Sequence, residues 1–160
     1  MYGVMYLNTF ELAHVRWSET RLFMTLLMGS TMAIIMLGFM LGMYKNRRAN
    51  IAIVAASLVL LGLGTWLVRS QSTVQETSYM SAMIPHHSIA ILTSENSEMA
   101  DVRVCELAVA IIDAQRREIS EMEWLIDDIA ENGPATTAAA AEQRPVPDFE
   151  GGSLRTCATN

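Results

Sequence analysis

Two long uncharged apolar runs constrain this chain more than any other feature. Leu22 to Tyr44 is 23 residues without Asp, Glu, Lys or Arg. As an α-helix it would be about 34 Å long, enough to cross the hydrocarbon core of a bilayer. Ile51 to Val68 is a second such run of 18 residues, about 27 Å as a helix and near the lower limit for a span. The rest of the chain is too small to cover both as a soluble core. The sequence therefore predicts transmembrane helices over 22–44 and 51–69, with the lipid bilayer as the first partner.

The loop between them, 45–50, carries Lys45, Arg47 and Arg48. The positive-inside rule places it in the cytoplasm. Residues 1–21 and everything from 70 onward then lie outside, across a cytoplasmic (inner) membrane. Arg16, Arg21 and Arg69 oppose this orientation but have Glu11, Glu19 and Glu76 nearby. The first run begins late and lacks a small-residue cleavage site, so it reads as a retained helix. Tyr6 to Arg21 is expected as an interfacial helix, with Phe10 and Trp17 at the headgroups.

Charge divides sharply along the chain. Residues 1–70 carry six Lys or Arg against two Glu, whereas 71–160 carry five Arg against fifteen Asp or Glu. An outer part this acidic excludes nucleic acid as a partner. The same surface attracts cations at a distance. Within it, residues 70–132 read as a helical hairpin. Pro85 predicts a kink or restart in its first helix, from about Thr77 to Met99. Asp101 is the expected N-cap of the second, and Gly133-Pro134 its stop. Cys105, Ala108, Ile112, Gln115, Ile119, Met122, Ile126 and Ile129 alternate spacings of three and four and predict its packing seam. The matching series on the first helix is Met80, Met83, His87, Ala90 and Ser94. Residues 133–160, rich in Ala, Thr, Pro and Gly, predict a disordered tail.

Met80-Ser-Ala-Met-Ile-Pro-His-His87 carries the chemistry. Met80, Met83 and His87 share a helical face. Thioether plus imidazole suits copper, above all Cu(I). His86 points about 100° away from His87 and serves a second ion, a second subunit or solvent. Glu118, one turn before Met122, is a ligand or the acceptor of a histidine N–H. On the first membrane helix, Met24, Met28, Met32, Met36, Met40 and Met43 form a spiral ridge. This ridge reads mainly as flexible packing, with a Cu(I) ladder as its functional alternative. Cys105 is expected as a buried seam residue. An outside location permits a disulfide, but Cys157 lies in the expected tail. No nucleophile–base pair or phosphate loop is present, so an enzyme is not expected.

Tyr79 to Ile91, followed by Ile112-Asp-Ala-Gln-Arg-Arg-Glu-Ile-Ser-Glu-Met122-Glu-Trp124, resembles the domain of unknown function 305 family in its membrane-anchored branch. The Met-Ile-Pro-His-His run and the Ala-Gln-x-x-Glu-Ile-x-x-Met run both occur, in order. The resemblance implies a ferritin-like four-helix bundle outside the cytoplasm, with some members associated with copper binding and tolerance. It also implies Met80, Met83, His86, His87, Glu118 and Met122 as the site region. One hairpin supplies only two helices, so a homodimer is expected to complete the bundle. A copper-handling protein is a further expected partner. Two readings compete with metal binding: a structural or partner-docking membrane module, and a carboxylate-bridged di-metal oxidase. The latter needs Glu-x-x-His pairs on the bundle helices, and the hairpin has none. Glu11-Leu-Ala-His14 has that spacing, outside the hairpin.

Overall fold

The computed structural model describes residues 1–157. It is all-α, with no strand among the described residues. Two 3₁₀ turns, Gly3–Tyr6 and Leu12–His14, precede α1 (Glu19–Met40), α2 (Arg47–Ser70), α3 (Glu76–Asn96), α4 (Val102–Asn132) and the short α5 (Ala138–Gln143). The described residues form two compact units: residues 1–5 with 18–75, and residues 6–17 with 76–157.

In the first unit α1 packs against α2. Both helices are long and apolar enough to cross a membrane. Ser18 caps α1 by accepting the Arg21 N–H at 3.2 Å, and Asn46 caps α2 by accepting the Ala49 N–H at 3.2 Å. Each satisfies a donor that the first helical turn cannot. Phe23, Ser30 and Leu37 of α1 and Ser57 and Gly64 of α2 are buried. Small residues let helix backbones approach closely in lipid. A Cβ on Gly64 would lie 3.4 Å from the Leu27 backbone nitrogen. Of the methionine ridge, Met24, Met28, Met32, Met36 and Met43 are exposed and Met40 is half-buried. Gln71, at φ 49°, ends α2 in the left-handed region, and its N–H reaches the Leu67 carbonyl at 3.0 Å. The chain breaks there, and α3 begins anew at Glu76.

The second unit is the α3–α4 hairpin with its additions. Ile84, Ile91, Ile112 and Ile119 form its core, with Phe10, Met122 and Ile126 packed around them. Burying each isoleucine stabilises the fold by about 2–3 kcal/mol. Asp101 caps α4 through the Arg103 N–H at 2.9 Å, and Gly133, at φ 76°, ends it.

Pro85 sits buried inside one continuous helix, so of the expected kink or restart the restart does not occur. Three other expectations are corrected. The buried stripe of α3 is Met80, Ile84, Ser88 and Ile91, not Met80, Met83, His87, Ala90 and Ser94. Residues 6–17 form no interfacial helix; they fold through a single 3₁₀ turn within the hairpin unit. The described part of the tail is ordered. Thr137 caps α5, and Arg144 binds Asp128 at 2.7 Å and the Gly133 carbonyl at 3.2 Å. A disulfide joins Cys157 to Cys105, its Cα atoms 5.8 Å apart. Residues 158–160 of the expected tail lie outside the described residues.

Candidate functional site

Two clusters of polar side chains occupy the hairpin unit, centred on the consecutive residues His87 and Ser88 of α3. The first contains the residues singled out by sequence. Met80 is buried, Met83 and His87 are half-buried, and His86 is exposed. His86 and His87 diverge, their ring centroids 6.2 Å apart and tilted by 56°. Adjacent helical positions impose that divergence. From α4, Glu118 brings Oε2 to 3.2 Å from Nδ1 of His87. The approach is close but off the line of a hydrogen bond, so this buried Nδ1 has no hydrogen-bond partner. Burial pushes the His87 imidazole below its ordinary pKa of 6.5; Glu118 opposes that shift and His86 adds to it. The neutral ring always keeps one nitrogen lone pair, which is the form that binds metals. Met122 lies elsewhere, packed on the isoleucine core. α3 and α4 thus bring together His87 and Glu118, whereas His86 and Met122 face different surroundings.

The second cluster was not legible in the sequence. Ser88, on the buried stripe of α3, is fully enclosed. Its Oγ accepts the Phe10 N–H at 2.7 Å and lies 2.9 Å from Nδ1 of buried His14. The other His14 nitrogen stands 3.9 Å from Glu11. Arg16 binds Glu123 at 3.1 Å, and the Arg116 guanidinium lies over the Phe10 ring at 5.4 Å. Arg116 also reaches Glu95 at 3.4 Å. These contacts dock residues 6–17 onto the hairpin. They surround a cavity of about 280 Å³, floored by Phe10, Ile91 and Ile119 and walled by Glu123 and the Glu150-Gly151-Gly152 segment. In the sequence, Glu11-x-x-His14 stands out by its spacing alone. Its partner Ser88 carries no local signal, because it is 74 positions away.

Among the described residues, no group of three or more His, Cys, Asp or Glu side chains is arranged to hold a metal ion. Thioethers fall outside that donor set.

Residues 67–156 match the family described as a domain of unknown function (DUF305). The chain belongs to the DUF305 family. An uncharacterized protein of Acanthamoeba polyphaga mimivirus is 31% identical over 104 residues, covering 61% of this chain and 68% of that protein. No solved structure matches. The DUF305 match takes in all of α3 and α4 and the tail through Thr156. It begins in the last turn of α2, so residues 6–17 are an addition to the matched region.

Proposed function

We propose that this DUF305 protein is a membrane-anchored, extracytoplasmic Cu(I)-binding protein acting in copper homeostasis or tolerance. The observation that carries the reading is His87. Its ring is half-buried, biased to the neutral form, and set 3.2 Å from a carboxylate that leaves Nδ1 without a hydrogen bond. Metal-binding histidines pass one ring N–H to a carboxylate, and Glu118 stands close enough to take that role if the ring turns to donate Nδ1–H, leaving Nε2 for the metal. Met83, one turn earlier, supplies a soft thioether of the kind that selects Cu(I). His87 and Met83 would hold the ion, with Glu118 orienting the ring. Met80, His86 and Met122 are supporting positions whose contribution depends on a second hairpin.

A homodimer is part of this reading. On α4, Val104, Leu107 and Ile111 are exposed. They follow spacings of three and four that continue through Ala114 to Glu118. This second seam runs beside the one filled by α3. Pairing it with another copy would bury the apolar stripe and bring a second His87–Glu118 pair to the same bundle. Lys45, Arg47 and Arg48 favour the outside location of the hairpin by the positive-inside rule.

Titration of the purified protein with Cu(I), anaerobically in detergent and against a competing chelator, tests the reading. Competitive binding that disappears in the Met83→Ala/His87→Ala variant is the expected result. No competitive binding by the unmodified protein would overturn it and leave a partner-docking module.

A further inference from the structure

The segment from Pro145 to Cys157 returns along the hairpin and closes one wall of the cavity. Gly151 presses on α4 so tightly that a Cβ there would lie 2.5 Å from the Asp113 carbonyl oxygen. The Leu154 N–H points to Glu95 Oε1 at 3.4 Å. Arg155 donates to the carbonyls of Ser94 at 2.7 Å, Ser97 at 2.8 Å and Glu95 at 3.3 Å. Those of Ser94 and Glu95 belong to the last turn of α3, whose carbonyls lack helical partners, Ser97 follows just beyond it, and a cation there also meets the negative pole of the helix. Cys157 then binds covalently to Cys105, near the start of α4.

Besides the covalent bond, polar contacts and not apolar burial hold this strap. None of its apolar side chains is buried: Val146 and Leu154 are 42% and 81% exposed, and Phe149 is only half-buried. Its two prolines and two glycines add no packing of consequence. The polar contacts lie at or near the surface, where water competes for them. The disulfide keeps the strap's end beside Arg155's carbonyl targets at high effective concentration. Breaking that bond removes the largest single restraint.

We propose that Cys105–Cys157 is a redox latch on the hairpin. A dithiol reductant attacks the disulfide, the S–S bond breaks, and the dithiol leaves as its own disulfide. Cys105 and Cys157 receive the two electrons and two protons as thiols. The strap then detaches, α3 loses its cap, and the Glu150–Gly152 wall of the cavity opens. Glu95 extends the effect inward, because it touches both Leu154 and Arg116, which lies over Phe10. The oxidised state is closed and the reduced state open.

Hydrogen exchange on the full-length protein in detergent tests this, comparing oxidised protein, dithiothreitol-reduced protein and the Cys157→Ser variant. Exchange is expected to rise at least tenfold over 145–157 and over the end of α3, in both the reduced protein and the variant. Residues 112–126 keep their protection. Three results would overturn the proposal. The protein isolated under non-reducing conditions could carry two free thiols. The strap could stay protected after full reduction. Protection could instead collapse throughout 112–126, making the bond a staple of the whole fold rather than a latch.

Discussion

Ser88 Oγ sits 2.9 Å from Nδ1 of His14, and both residues are buried. Ser88 also accepts the Phe10 N–H. Ser88→Ala leaves two enclosed polar groups without a partner, at a cost of about 1–3 kcal/mol. Thermal unfolding should show a lowered Tm, and hydrogen exchange should show faster opening over residues 6–17. An unchanged Tm would mean that water replaces the hydroxyl.

The isoleucine core sets the hairpin's stability. Ile84 and Ile112 are completely buried on opposite helices. Ile112→Ala should cost about 2–5 kcal/mol through lost burial and the cavity left behind. Val104→Ala, on the exposed stripe, should change monomer stability by less than about 0.5 kcal/mol. Denaturant unfolding of the two variants separates them, and equal losses would argue against this placement of the core.

The helix pattern accounts for how much of the fold could be read from sequence. On α4 the alternation of three and four picks out Cys105, Ala108, Ile112 and Ile119, all of them buried. On α3 the same logic selected Met83 and His87 over Ile84 and Ser88. Ser88 was passed over because a serine does not register in an apolar pattern. What buries it is the arrival of Phe10 and His14 from far along the chain. The strap failed for a related reason. Its order comes from a disulfide and polar contacts, so a reading based on apolar content sees only a tether. His87 and Glu118 come from the motif residues and not from the seam: the pattern places His87 on the packing face, whereas it lies half-buried beside that face, 3.2 Å from Glu118.

His87 gives the hairpin a pH dependence of definite sign. Its pKa lies below 6.5 in the folded protein, so the unfolded chain takes up the proton first as pH falls. Stability therefore rises with pH between the folded value and 6.5, and is lost on acidification through that window. His87→Gln should flatten the slope in a chelator-treated sample. Glu118→Gln should push the histidine lower still, because the carboxylate raises it. Histidine ring titration by NMR reads both directly.

Two glycines mark close backbone approaches and should respond differently. At Gly64 an added Cβ meets the α1 backbone at 3.4 Å, an ordinary contact, so Gly64→Ala should be tolerated. Gly64→Leu overpacks the helix pair and should cost about 1–3 kcal/mol. At Gly151 even alanine cannot fit without movement, given 2.5 Å to the Asp113 oxygen. Gly151→Ala should therefore lift the strap, seen as faster exchange over 145–157 with both cysteines intact. Unchanged exchange would mean that α4 yields instead.

Residues 6–17 precede α1, yet they are fastened to α3, which follows α2. The two apolar helices are thus bracketed by segments that touch each other. With that contact kept, a bilayer would be crossed by both helices or by neither, because a single crossing would carry Phe10 and His14 about 30 Å away from Ser88. A protease or labelling reagent that reaches the Phe10 segment from one side of a membrane must find the Met-His helix on that same side.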